Sequence, residues 1–395
     1  MLLNSASRRY NVSIIMMRKV FPVLALATFS SMLGVGIIAP LLPLYAEKLG
    51  ATDIWIGVIF ASFSISRSIF MPFVGRLSDR YGRKRLITIG ILVYSIISLG
   101  YVWADNVSQL TIIRLIHGAA SGMIIPIAQA YIGEIAPEGE EGKWMGYFNA
   151  AFFSGFGFGP LLGGVLTEHF GMNFAFYSMG GLNLLAFLIA VFFLPEIKHR
   201  KMAINTSPSF KEIGESRIIR GLFIFRLSFA MGREGAFFTF LPIFAALSLG
   251  LNSSLTGVLL AVNILLMSIL QLYGGKLADR FKRRTLITIG GIINVLFLAL
   301  IPLTHNFWQL LGLSALGGIG GSISMPAASA LSVEEGRRFG MSSTIALIFM
   351  AMSIGMVIGP ILGGVLAEST NINSVFYFSA AALLAGTGLF MRLTK

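Results

Sequence analysis

The chain contains no cysteine. That absence excludes disulfides, thiol nucleophiles and cysteine-based metal sites. Charge is scarce too: Asp, Glu, Lys and Arg supply 12% of the 395 residues, about half the share of a typical soluble domain. Acidic residues are the rarer sign, 17 against 30 basic ones, and histidine occurs 4 times. No stretch is polar for long enough to fold as a separate soluble domain. No convincing signal peptide opens the chain, because the first apolar run is long and continues into "LPLYAEKLG" without a cleavage-like site. Neither a nucleotide-binding phosphate loop nor a nucleophile–base or metal-ligating cluster is readable. An enzyme is not expected, and neither is a cofactor or a metal.

Apolar residues are what the chain has in excess, at 55%, together with 45 glycines. Apolar runs of about 20 residues or more recur, each long enough to cross a hydrocarbon core of about 30 Å as a helix. This patterning predicts an all-α, multi-pass membrane protein. Twelve spans are expected, near 18–44, 54–75, 86–104, 107–133, 144–167, 173–194, 220–248, 255–275, 286–303, 307–332, 340–367 and 374–391. Connections are short except 195–219, "PEIKHRKMAINTSPSFKEIGESRII". The expected organisation is an N-terminal cytoplasmic arm (1–17), a six-helix bundle (18–194), a cytoplasmic central loop (195–219) and a second six-helix bundle (220–395). "MMRKVFPVLAL" at Met16 reads as a second possible start, which would leave 1–15 as an ill-ordered or unused extension.

The formal charge of +13 is a topology signal. With the N-terminus inside, nearly all Lys and Arg fall in the terminal segments, the inward loops and the central loop. Lys48 is the exception outside, and Arg67, Arg114, Arg226 and Arg233 lie inside spans. This positive-inside pattern puts both termini in the cytoplasm of a cell (inner) membrane protein and calls for no nucleic-acid partner.

The halves repeat at an offset of 200 residues. "GRLSDRYGRKRLITIG" at 75–90 answers "GKLADRFKRRTLITIG" at 275–290, and "GFGFGPLLGGVLTE" at 155–168 answers "GMVIGPILGGVLAE" at 355–368. Two equivalent halves in one orientation are the parallel-repeat plan of a transporter, with substrate held between the halves near the midplane.

On these motifs the chain resembles the major facilitator superfamily over residues 17–395. "GRLSDRYGRK" is similar to that superfamily's loop between helices two and three, G-x-L-x-D-R-x-G-R-[KR], and Lys282 is the one departure in the second copy. The resemblance implies a major facilitator fold of two pseudo-symmetric six-helix bundles. It also implies a cytoplasmic gate at Gly75, Asp79, Arg80, Gly82 and Arg83 and at Gly275, Asp279, Arg280 and Arg283. Glycine permits a tight turn there, and a carboxylate can accept from a facing helix N-terminus. The same cluster could instead serve topology alone. "LGVGIIAPLLP" at 33–43, "RLIHGAASG" at 114–122 and "GFGFGPLLGG" at 155–164 resemble signatures of the twelve-helix drug:proton antiporters. They imply a packing stripe at Gly155, Gly159, Pro160, Gly163 and Gly164, echoed by Gly359, Pro360 and Gly363, and a role for Arg114 in tuning proton coupling.

One acidic residue, Glu234, lies deep in a span, in "LSFAMGREGAFF". It is the expected proton carrier or, alternatively, a static ion-pair partner of an arginine. His117, one turn from Arg114, is either a titrating group or a hydrogen-bonded polar residue. Arg67, Arg226 and Arg233 with Asn149, Asn263 and Gln271 are expected at the substrate cavity, and Phe152, Phe153, Phe156, Phe237 and Phe238 as its aromatic walls. The combined expectation is a monomeric secondary transporter that exchanges protons for drugs or other small organic molecules. An organic-anion or anionic-lipid carrier is the alternative favoured by the buried arginines, and a non-transporting membrane sensor is the third reading.

Overall fold

A computed structural model describes residues 2–51, 53–196 and 210–395. Side chains are described for these except 2–13, 39–40, 44, 53–54, 210–211, 234, 236 and 253–254. Most of the expected central loop, 197–209, lies outside the described residues. Helices α1 (Leu2–Lys48), α2 (Asp53–Tyr81), α3 (Arg83–Gly100), α4 (Val107–Ile135), α5 (Glu141–Phe170) and α6 (Met172–Phe193) make the first bundle. A short α7 (Phe210–Glu215) leads into α8 (Arg217–Phe229), a π-helical segment (Ala230–Phe237) and α9 (Phe238–Leu249). The second bundle continues with α10 (Ser253–Arg280), α11 (Arg283–Leu300), α12 (Phe307–Phe339), α13 (Met341–Ser369) and α14 (Ile372–Leu393). No strand occurs among the described residues.

Ten of these helices are long and apolar enough to cross a membrane on their own. The other two crossings fall short for identifiable reasons. Helix α3 opens on Arg83-Lys84-Arg85, and the seventh crossing is divided into α8, the π turn and α9. The span expected as one helix over 220–248 is therefore not a uniform α-helix. Gly232 and Gly235 let the widened turn sit tightly against its neighbours: a Cβ on Gly235 would come 2.8 Å from Pro360 Cδ, and one on Gly232 3.1 Å from the Ser379 carbonyl. Such π turns are rare and often mark functional sites.

The repeat is visible in how the helices start. Asn106 accepts from the Gln109 N–H at 2.9 Å, and Gln109 Oε1 accepts in return from the Asp105 N–H at 2.8 Å. Asn306 and Gln309 repeat this at 3.0 Å and 2.8 Å, the latter from the His305 N–H. This reciprocal capping satisfies otherwise orphaned donors at the starts of α4 and α12.

Without a hydrophobic drive between helices in lipid, close backbone approach decides which helices pair. A Cβ on Gly155 or Gly159 would strike α1 at Phe29 or Gly36, and one on Gly355 or Gly359 would strike the Leu227 or Met231 carbonyl. The stripe thus docks α5 on α1 and α13 on α8 and the π turn. Gly164 meets nothing and plays no part in that packing. The two halves meet along α2 with α13 and α5 with α10. Gly75 lies over Ser342 and Ala346, and Gly275 over Gly142 and Gly146.

Candidate functional site

Between the halves lies a cavity of about 790 Å³. Helices α1, α2, α4 and α5 line it on one side, and the π turn, α9, α10 and α13 on the other. Along α2 the lining runs from Gly57 to Arg67 and stops there. The motif loop at Gly75–Arg83 lies beyond that floor, so the cavity extends away from the motif end of the molecule.

Three guanidiniums face the cavity: Arg67 on α2, Arg114 on α4 and Arg233 in the π turn. Each is almost fully buried, at 4%, 5% and 1% exposure. Arg67 Nε donates to Ser353 Oγ at 2.7 Å, which ties the first half to the second across the cavity floor. Arg233 donates to Asn263 Oδ1 at 2.5 Å, and Asn263 in turn donates to the Ser314 carbonyl at 2.8 Å. Phe63 is flanked by both Arg67 and Arg114, at 5.5 Å and 4.5 Å from its ring centre. In the repeat Arg67 corresponds to Met267, and both line the cavity.

Phe152, Phe153 and Phe156 line the cavity from α5, and Phe238 from α9. Phe237 does not. It points into the second bundle, fully buried against Phe297 at 5.0 Å. Asn263 reaches the cavity only through Arg233. Gln271 is wholly buried where α10 crosses α5 too closely to leave a cavity, with no hydrogen-bond partner for its amide among the described residues. Arg226 and Asn149 lie beneath the cavity floor in a much smaller pocket, where Arg226 contacts the Met325 and Met352 thioethers. His117 sits behind the cavity. Tyr101 Oη is 2.8 Å from its Nδ1, the Tyr94 ring centre is 4.0 Å away, and its Nε2 meets no partner among the described residues. Glu234 belongs to the π turn between Arg233 and Gly235, both of which line the cavity; its side chain lies outside the described residues.

At the motif end the halves are latched twice. Asp79 accepts from the Ser342 and Ser343 N–H groups, each at 2.9 Å, and from Ser343 Oγ at 2.8 Å. Asp279 accepts from the Gly142 and Lys143 N–H groups at 2.6 Å and 2.8 Å. Each carboxylate so occupies the first turn of a helix from the opposite half, α13 or α5, where orphan N–H groups and the helix dipole favour negative charge. Arg83 pairs with Glu134 and at 3.7 Å with Asp79, while its Nε donates to Ser342 Oγ at 3.1 Å. Arg283 reaches Glu141 at 2.6 Å and Glu334 at 3.0 Å, and Arg337 reaches the other Glu141 oxygen at 2.7 Å. Arg80 and Arg280 are exposed, and Arg80 stacks on Tyr81 at 5.2 Å. One residue past each aspartate is about 100° round the helix, away from the opposite half. The carboxylates Glu134, Glu334 and Glu141 and the partner Arg337 are latch members that the motif does not contain. The offset of 200 between Glu134 and Glu334 was the one available signal for them.

The family model described as Major Facilitator Superfamily matches residues 24–268 and 229–395. The chain belongs to the major facilitator superfamily. An uncharacterised transporter of the same superfamily type from Methanocaldococcus jannaschii is 33% identical over 381 residues, 94% of this chain and 98% of that protein. The quinolone resistance protein NorA of Staphylococcus aureus is 28% identical over 380 residues, 94% of this chain and 95% of NorA. Among solved structures, the human organic anion transporter MFSD10 (TETRAN) superposes with a TM-score of 0.77 at 16% identity, covering 94% of this chain and 99% of that one. The last likeness shows the fold. As a member of this superfamily the chain is a multi-pass membrane transporter, and its central cavity and double latch are parts of one transporter.

Proposed function

We propose that this transporter exports small organic molecules across the cell membrane in exchange for protons. In this reading both termini and the double latch face the cytoplasm and the protein works as a monomer. The cavity then opens outward while the latch holds the cytoplasmic side shut. Rocking of the halves would break the Asp79 and Asp279 caps and expose the floor at Arg67 to the cytoplasm.

The observation that carries this reading is the cavity itself. It is drug-sized, shared by both halves, largely aromatic and aliphatic, and bordered by the π turn that contains Glu234. Glu234 is the one acidic residue that the sequence places deep in a span, and an ionisable residue there is a candidate coupling site. The likeness to a quinolone resistance protein supports export of drug-like solutes, and the Gly155–Gly164 stretch supports the antiporter branch. Each proton entering at 100 mV supplies about 2.3 kcal/mol.

The test is transport in proteoliposomes with an imposed pH gradient and a fluorescent quinolone as cargo. Wild type should move the quinolone against the proton flow. Glu234→Gln should abolish the gradient-driven component while leaving quinolone exchange at equal pH. Unchanged gradient-driven transport in that variant would remove Glu234 from proton coupling.

A further inference from the structure

We infer that Tyr101 and His117 are positioning residues for the cavity: a buried relay through the Tyr101 hydroxyl aims the Arg114 guanidinium at the cargo. The inference rests on reading this cavity as the substrate site, and it adds two residues behind the wall that shape it.

Arg114 lines the cavity. Its Nε reaches the Ile59 carbonyl at a long 3.4 Å, and its guanidinium lies 4.5 Å from the Phe63 ring centre and 5.9 Å from that of Phe60. A long bond and two ring faces define its orientation loosely. The Tyr101 hydroxyl defines it better. That oxygen meets the Arg114 guanidinium, and it stands 2.8 Å from His117 Nδ1. A guanidinium can only donate. The Tyr101 oxygen thus accepts from Arg114, and its single hydrogen goes to His117 Nδ1. Were Nδ1 the protonated nitrogen, Tyr101 would accept from both neighbours, and its own hydrogen would be buried without a partner among the described residues. The ring proton of His117 is thereby placed on Nε2.

The relay stands on a fixed platform. Tyr45 Oη donates to the Tyr101 carbonyl at 2.7 Å and to the Ala104 carbonyl at 2.9 Å. The Tyr101 ring stacks on Phe176 of α6 at 5.2 Å. Tyr94, which donates to the Ser31 carbonyl of α1 at 2.8 Å, packs its ring against His117. Tyr101 and His117 are both fully buried.

The repeat shows that the fold does not require this relay. The Asn106 cap is duplicated at Asn306, but Tyr94, Tyr101, Arg114 and His117 are answered 200 residues on by Asn294, Ile301, Ser314 and Gly317. A Cβ on Gly317 would come 2.7 Å from the Phe297 ring, so packing fills there the place that the imidazole takes in the first half. A buried network found in one half alone serves the site and not the shared framework.

The test uses the full-length protein in lipid nanodiscs with nitrogen-15 in its 4 histidines. The His117 resonances, assigned with His117→Gln, should show an unprotonated, hydrogen-bonded Nδ1 and a protonated Nε2. They should shift in Tyr101→Phe and in Arg114→Gln. A protonated Nδ1, or resonances unmoved by both substitutions, overturns the relay. Proteoliposome transport of a fluorescent quinolone reads its consequence. Tyr101→Phe and His117→Leu should each raise KM by about tenfold, the worth of one hydrogen bond to a charged group, and keep the maximal rate within about threefold. His117→Gln, whose amide oxygen accepts in place of Nδ1, should keep KM within about threefold of wild type. The double variant Tyr101→Phe with His117→Leu should be no worse than either single one, because both break one relay. A fall in maximal rate at unchanged KM, or a His117→Leu variant that matches wild type, overturns the positioning role. If wild type moves no quinolone under a pH gradient, the export reading fails, while the nitrogen resonances still decide the relay.

Discussion

Neighbouring phenylalanines in the seventh crossing show how fine the division between site and core is. Phe238 lines the cavity, while Phe237 is packed between Phe238 and Phe297. Phe238→Ala should therefore change ligand affinity at little cost to stability. Phe237→Ala should cost about 3 kcal/mol of stability, as truncation of a fully buried ring does, and leave the affinity of the folded fraction near wild type. Thermal unfolding alongside probe titration distinguishes them, and the reverse pattern would show that the π turn is rotated from the geometry described here. The sequence could not make this distinction. Both residues lie in one apolar run, and the π turn shifts the helical phase where an ideal 3.6-residue period would be extrapolated. The buried arginines were legible because charge in an apolar span is conspicuous. Their division was not: Arg67, Arg114 and Arg233 line the cavity, whereas Arg226 lies below the floor because it comes seven residues before Arg233, towards the latch. Gln271 and Asn263 were equally conspicuous, yet the glycine-tight crossing of α10 on α5 and the hydrogen bond to Arg233 take them out of the lining.

The two turns that join α2 to α3 and α10 to α11 differ as elements. Gly82 adopts φ +100°, and a Cβ there would collide with the Glu196 carboxylate. Lys282, at the matching place, turns at φ −60°. The departure of the second motif copy from glycine is thus matched by a turn that has no need of one. Gly82→Ala should cost about 1–3 kcal/mol from its backbone alone, lowering the thermal midpoint, whereas Lys282→Gly should cost less than about 1 kcal/mol. Equal losses in the two would mean the turns share one conformation. Apart from the start of α1, the helix ends were readable to within about seven residues, because a bilayer demands long apolar runs and the repeat tests each against its twin; α1 begins at Leu2, where an arm over 1–17 was expected, because the helix runs on past the apolar stretch that marks the span. The interruption at Ala230–Phe237 was not readable. "AMGREGAF" carries two glycines and two charges, which are compatible with a loop, a kink or a widened turn, and only packing against Pro360 and Ser379 selects among them.

The whole molecule is two bundles latched at one end and separated at the other by a cavity. The motif singled out Asp79 and Asp279 as expected gate residues, but their acceptance from the first turns of α13 and α5 is a long-range fact. It depends on the halves facing each other in this state. If these caps hold one of two alternating states, weakening one should shift the balance between them. Asp79→Asn replaces charged acceptors for two N–H groups with a neutral one, a loss of about 2 kcal/mol, or a factor of about 30 in the ratio of states. The absence of native cysteine makes single-cysteine reporters clean. The most direct measurement is labelling by a membrane-impermeant maleimide of Ser64→Cys, in the cavity, and of Asn149→Cys, beneath its floor, each with and without Asp79→Asn. With Asp79 intact, Ser64→Cys should react quickly from the cavity side and Asn149→Cys slowly from the latch side; with Asp79→Asn the first should slow and the second should speed up. Rates that move together, or do not move at all, would contradict alternating access through this cavity.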